Sequence, residues 1–132
     1  MALAYEAATL RSAMLNAITT RAGNAALLRI YDGVRPATAG APTTLLAECT
    51  CGTPFAGAAV NGVLTVTVPI TDAGANANGV ATWFRIVQAD GATFVLDGNC
   101  GTVGSDLNLT TTTVTATQPV SITSFVITEG NP

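Results

Sequence analysis

The chain has no histidine and no lysine, and only 10% of its 132 residues are charged. Catalysis at neutral pH draws mainly on His, Lys, a reactive Cys or clustered carboxylates. Their scarcity argues against an enzyme. Aromatic residues amount to 5%, with a single tryptophan. A glycosidase needs two carboxylates facing across an aromatic-lined cleft, which this composition does not supply. The five basic residues, Arg11, Arg21, Arg29, Arg35 and Arg85, are scattered along the chain. With a net charge of −3 and a pI near 4.5, it offers no basic face to nucleic acid. No run approaches the roughly 18 to 20 apolar residues of a membrane-spanning helix. Residues 1–10 lack the basic start and leucine-rich centre of a signal peptide, so synthesis and assembly in a cytoplasm are expected.

What is present is apolar. The hydrophobic share is 48% and the mean hydropathy +0.46, and much of the remainder is threonine, glycine and asparagine. The length fits one domain that buries a core without staples. An apolar surplus without a membrane span points to surface that packs against other protein, in an oligomer or a larger assembly.

Residues 3–22 carry apolar side chains at Leu3, Ala7, Leu10, Met14 and Ala17 or Ile18, the spacing of an amphipathic helix. Glu6 near its start and Arg21 in its last turn suit the helix dipole. Gly23 ends it. The period then changes from 3.6 to 2. Strands are expected over 27–31, 45–51, 63–68, 80–88, 93–96, 107–109, 112–117 and 120–128, with turns at Asp32-Gly33, Asn61-Gly62, Asp72-Ala73-Gly74, Asp90-Gly91 and Asp97-Gly98. Residues 35–44 and 71–79 read as loops. In 120–128 both faces are apolar toward Phe125 and Ile127, which suggests a strand buried on two sides. The expected fold is mainly β, a sandwich or jelly-roll-like domain over 24–132 preceded by one helix over 1–23.

Cys49 and Cys51 lie two apart on an expected strand, so their sulfurs share one face. Zinc needs about four Cys, His or carboxylate ligands, and Cys100 is the only further cysteine. The spacing is not that of a redox pair. Free cysteines are commonly small buried hydrophobes. The sharper alternative is disulfide cross-linking within or between chains, since an odd count leaves one thiol without an intrachain partner. Cys100 falls in an expected glycine-flanked loop where its sulfur is accessible. Asp97, Asn99, Asp106 and Asn108 are oxygen ligands near glycine turns and form a candidate calcium site. Gly98 to Gly104 superficially resemble a phosphate-binding loop, but no Lys-Ser/Thr and no helix follow. No cofactor is expected. Trp83 and Phe84 are adjacent and point to opposite faces, one expected as core and the other either as a contact anchor or beneath the N-terminal helix.

Several segments together resemble small virion proteins encoded among the head genes of tailed phages and prophages. They are Leu28-Arg29-Ile30-Tyr31-Asp32-Gly33 with Arg35-Pro36-Ala37, Ala81-Thr82-Trp83-Phe84-Arg85-Ile86, Asp97-Gly98 with Gly101-Thr102, Asp106-Leu107-Asn108-Leu109, and Phe125-Val126-Ile127-Thr128-Glu129-Gly130-Asn131. The resemblance spans nearly the whole chain and carries no catalytic motif. It implies a capsid decoration, or cement, protein on the virion surface that binds the major capsid protein or other virion proteins. Binding around a lattice axis favours a dimer or trimer. Leu3, Leu10, Met14 and Trp83 are the candidate partner contacts, and Cys49, Cys51 and Cys100 the candidate cross-links. The alternatives are a neck or tail component, distinguished by copy number, and a carbohydrate- or host-surface-binding module, which needs exposed aromatics.

Overall fold

A computed structural model describes residues 4–128. The chain is mainly β with one N-terminal helix. Glu6 starts the helix. Its carboxylate accepts the N–H groups of Ala8, Thr9 and Leu10 at 2.7, 2.8 and 2.9 Å, filling the donors that an N-terminus leaves open. A π-helical turn, Ala7–Arg11, leads into α1, Ser12–Ala22, which Gly23 closes at a φ of 70°. Leu3 lies outside the described residues. The buried face of α1 is Ser12, Leu15 and Ala22 with Ile18 packed beside them. The expected stripe is therefore displaced: Leu10 and Met14 point to solvent.

Eleven strands follow among the described residues: β1 Leu27–Tyr31, β2 Leu45–Thr50, β3 Val63–Thr65, β4 Ile70–Asp72, β5 Gly79–Val80, β6 Trp83–Val87, β7 Phe94–Gly101, β8 Leu107–Asn108, β9 Thr113–Val114, β10 Val120–Ile122 and β11 Val126–Thr128. Seven form one curled sheet in the order β10-β4-β2-β1-β6-β7-β8. Two small sheets, β11-β3 and β5-β9, stand apart from it. One apolar core joins Leu28, Ile30, Cys49, Phe84 and Ile86 of the large sheet to Leu15 of α1, Leu64 of β3, Val114 of β9 and Phe125. The helix and the small sheets thus supply the second layer that covers the large sheet's inner face.

Three expectations change. Residues 120–128 are two strands in different sheets, because the chain leaves β4 after Ile122 and joins β3 only from Val126. The expected loop over 71–79 instead begins with a strand and ends with one. Asp97-Gly98 is not a turn, since β7 runs unbroken from Phe94 to Gly101.

Candidate functional site

The inner strands carry a second buried layer on the sheet's outer face. Tyr31 and Trp83 pair across β1 and β6 and stack at 4.4 Å between ring centroids. The indole N–H donates to the Asp32 carbonyl and to the Thr43 hydroxyl, both at 3.0 Å. Thr43 in turn donates to the Asp32 carbonyl. These bonds fold the 32–44 loop over the ring, and Trp83 is fully buried. It is therefore core and not a partner contact. Beside it the register aligns a row of charges across four strands, Glu48, Arg29, Arg85 and Asp97. Arg29 binds Glu48 at 2.8 Å and Arg85 binds Asp97 at 2.7 Å. The Arg85 guanidinium also lies over the Trp83 ring at 5.2 Å, and its hydrogen bonds to Asp97 hold it charged.

The other carboxylates are equally committed. Asp32 accepts the Thr44 N–H, Asp72 those of Glu48 and Gly74, Asp90 those of Ala92 and Thr93, and Asp106 that of Asn99. Every carboxylate among the described residues has a structural partner. Asp97, Asn99, Asp106 and Asn108 do not converge: Asp97 faces Arg85, and the Asn108 side chain accepts the Ser105 N–H. Among the described residues no three Cys or acidic side chains are grouped to hold a metal ion.

Cys49, Cys51 and Cys100 are free and buried. Cys100 sits on β7 and not in a loop. Burial pushes all three thiols up to about 12, with Asp72 adding to the rise at Cys49 and Asp106 at Cys100. This arrangement gives the cross-linking expectation no support, because a disulfide forms through an accessible thiolate.

The surface holds apolar side chains instead. Val34 is 86% exposed, Val103 83% and Val80 55%. All three sit at the end of the sheet where β6 begins. The Thr82 hydroxyl donates to the Gly33 carbonyl at 2.6 Å, next to Val34. The Thr82 carbonyl accepts the Cys100 N–H at 3.0 Å, at the base of the loop carrying Val103. Val80 precedes this junction by two residues. At the far end of β6 the Gln88 side chain donates to the Arg21 carbonyl at 2.7 Å, which docks the C-terminus of α1 there. Leu10, 47% exposed, and Met14, 40% exposed, lie on the free face of the helical segment. The expected contacts Leu10 and Met14 are thus accessible. The valine end was missed, since Val34 and Val103 stand singly in loops and Val80 in a two-residue strand, none of which carries a period. No described aromatic side chain is exposed. Among the described residues no helix is long and apolar enough to cross a membrane. No protein-family model, no curated protein and no solved structure matches this chain.

Proposed function

We propose that the chain is a structural virion component, a decoration protein that binds the major capsid lattice and reinforces the head. The observation that carries the contact role is that exposed Val34, Val80 and Val103 all fall at the end of the sheet where β6 begins. Val34 and Val103 are the most exposed large apolar side chains among the described residues, and apolar side chains held together in water mark a docking surface. Hydrogen bonds to Thr82 anchor the loops carrying Val34 and Val103, and Val80 lies on β5, so the surface is preorganised, which lowers the entropic cost of binding. The virion setting rests on the resemblance of the segments around Tyr31, Trp83 and Asp106. A protein that binds only the mature shell stabilises it by mass action. The lack of exposed aromatics weighs against a carbohydrate-binding module.

The experiment adds the purified chain to heads assembled without it. Saturable binding, greater resistance of the heads to heat, and loss of both in a Val34→Asp, Val103→Asp double variant are expected. Heads that gain no resistance, or that bind the double variant equally well, overturn the proposal.

A further inference from the structure

β7 is paired on one side only along most of its length. The Cys100 N–H reaches the Thr82 carbonyl beside β6 at 3.0 Å, and the residues before and after it face the other way. The Asn99 N–H donates to the Asp106 carboxylate at 2.8 Å, and the Gly101 carbonyl accepts the Leu109 N–H at 2.8 Å. β8 pairs only with Cys100 and Gly101. By the same alternation the N–H and carbonyl of Asp97 point away from β6, and neither has a partner among the described residues. The Asp97 side chain is 6% exposed while the residue as a whole is half-buried, so solvent reaches chiefly its main chain. The open stretch ends at Phe94, whose carbonyl accepts the Arg21 Nε–H at 3.1 Å.

A groove lies on each face of this edge. The outer one, about 450 Å³, runs between residues 35–38 and Phe94. The inner one, about 390 Å³, is lined by Phe84, Phe125 and Asp106 among others. Leu96 and Asp97 border both. The two differ in charge. Arg35 is exposed at the outer groove and makes no ion pair among the described residues, whereas Arg21, Arg29 and Arg85 are all engaged. The Asp97 carboxylate beside it is already matched by Arg85. The inner groove carries the Asp106 carboxylate with no arginine.

We infer that the open edge of β7 binds a short extended segment of a partner protein, which adds a strand beside Asp97, turns an acidic side chain to Arg35 and sets apolar side chains into the inner groove. A free main-chain donor and acceptor call for a peptide backbone, as in strand addition to other sheet edges. Successive side chains of a strand alternate between its faces, so one segment fills both grooves. Arg35 draws the acid to the outer face and Asp106 repels it from the inner one, which fixes how the segment faces. Val95 is an extra residue in β7 opposite the step from Ile86 to Val87. This bulge blunts the edge against long strands and leaves room for a short one. The inference does not depend on the virion setting or on the valine end, because it concerns the purified chain and a peptide.

NMR titration of the full chain with the capped peptide Thr-Leu-Glu-Leu-Thr at low salt tests it. A saturable shift of the Asp97 amide and slower hydrogen exchange there are expected. Arg35→Glu, an exposed change whose fold circular dichroism verifies, should weaken binding about fivefold. A peptide with Arg in place of its Glu should bind that variant better than the native chain. The original peptide N-methylated at its three central residues should not bind, because it cannot donate to a strand edge. No response at Asp97, equal binding of the methylated peptide, or an affinity indifferent to Arg35→Glu would each overturn the inference. So would a concentration-dependent protection of the Asp97 amide in the chain alone, which would make a second copy the occupant.

Discussion

Arg29 and Arg85 face each other across β1 and β6, a pairing of like charges that costs free energy in a sheet. The flanking strands offset it by placing Glu48 beside one and Asp97 beside the other. The Arg85–Asp97 pair is the more enclosed, with side chains only 10% and 6% exposed. Asp97→Ala strands a buried guanidinium and should cost about 3 kcal/mol in urea unfolding, as a broken buried pair does. Glu48→Ala, on the more open pair, should cost under about 1 kcal/mol. None of this row was legible in the sequence. Scattered arginines become a row only through strand register, and Asp97-Gly98 has the composition of a turn. The turn role of Asp90 was legible, because an Asx turn closes over adjacent residues. The Thr93 hydroxyl and the Thr93 and Ala92 N–H groups hold its carboxyl at about 2. The unfolded value is about 3.9, so the folded form is the stronger acid and its stabilisation is complete above that pH. It fades as the pH falls toward 2. A carboxyl-carbon NMR titration should show that midpoint, and Asp90→Asn should remove this part of the acid dependence. The thiols offer a third check. At about pH 8 a group at 12 is ionised in roughly one molecule in ten thousand. An aromatic disulfide reagent should leave Cys49, Cys51 and Cys100 unmodified in the folded chain and modify all three in denaturant.

Among the elements, β7 and β8 are unusual. They run parallel, Cys100 beside Leu107 and Gly101 beside Asn108, although only residues 102–106 join them. Parallel neighbours ordinarily need a crossover of a dozen residues or more. Here the chain makes a tight loop, with Gly104 at a φ of 69°. Asp106 pins it to the Asn99 N–H at 2.8 Å, and Asn108 to the Ser105 N–H at 3.0 Å. The glycine-rich stretch that superficially resembles a phosphate loop is thus the end of β7 and the tight loop after it, pinned by Asp106 and Asn108. Gly98 serves packing: a Cβ there would lie 2.5 Å from the Phe84 ring. Gly98→Ala should cost about 1 to 3 kcal/mol, the range for an overpacked core. Adding Phe84→Leu should recover part of that, measured as the coupling in a double-mutant cycle. At this scale β1, β6 and the Asn61-Gly62 hairpin were readable. The hairpin has both central residues at positive φ, and Val60 and Val63 exchange bonds at 2.9 and 3.0 Å. The helix was readable as an element, but its buried face was not. Its alanines fit either environment, so the apolar stripe marks the solvent side as readily as the core.

At the scale of the whole molecule, exposed apolar side chains lie at the start of β6 (Val34, Val80 and Val103) and on the helical segment (Leu10 and Met14), with Val60, Val63, Val68 and Val126 elsewhere. The valine end is fixed by loops that converge on Thr82, and the helical face is fixed by Gln88 and by Ser12, whose hydroxyl accepts the Gly62 N–H at 3.1 Å. The mainly-β class and the lack of reactive side chains pointed from composition toward a protein whose work is contact. Where the contacts lie depended on long-range pairing, which no local pattern records. The proposed decoration role is tested most directly by reconstructing virions produced from the genome that encodes this chain. Density for the chain on the outer face of the shell, repeated with the lattice and with Val34 and Val103 toward the major capsid protein, is expected. Purified virions that lack the chain, or that hold it only as a single ring at the neck, would contradict the decoration role.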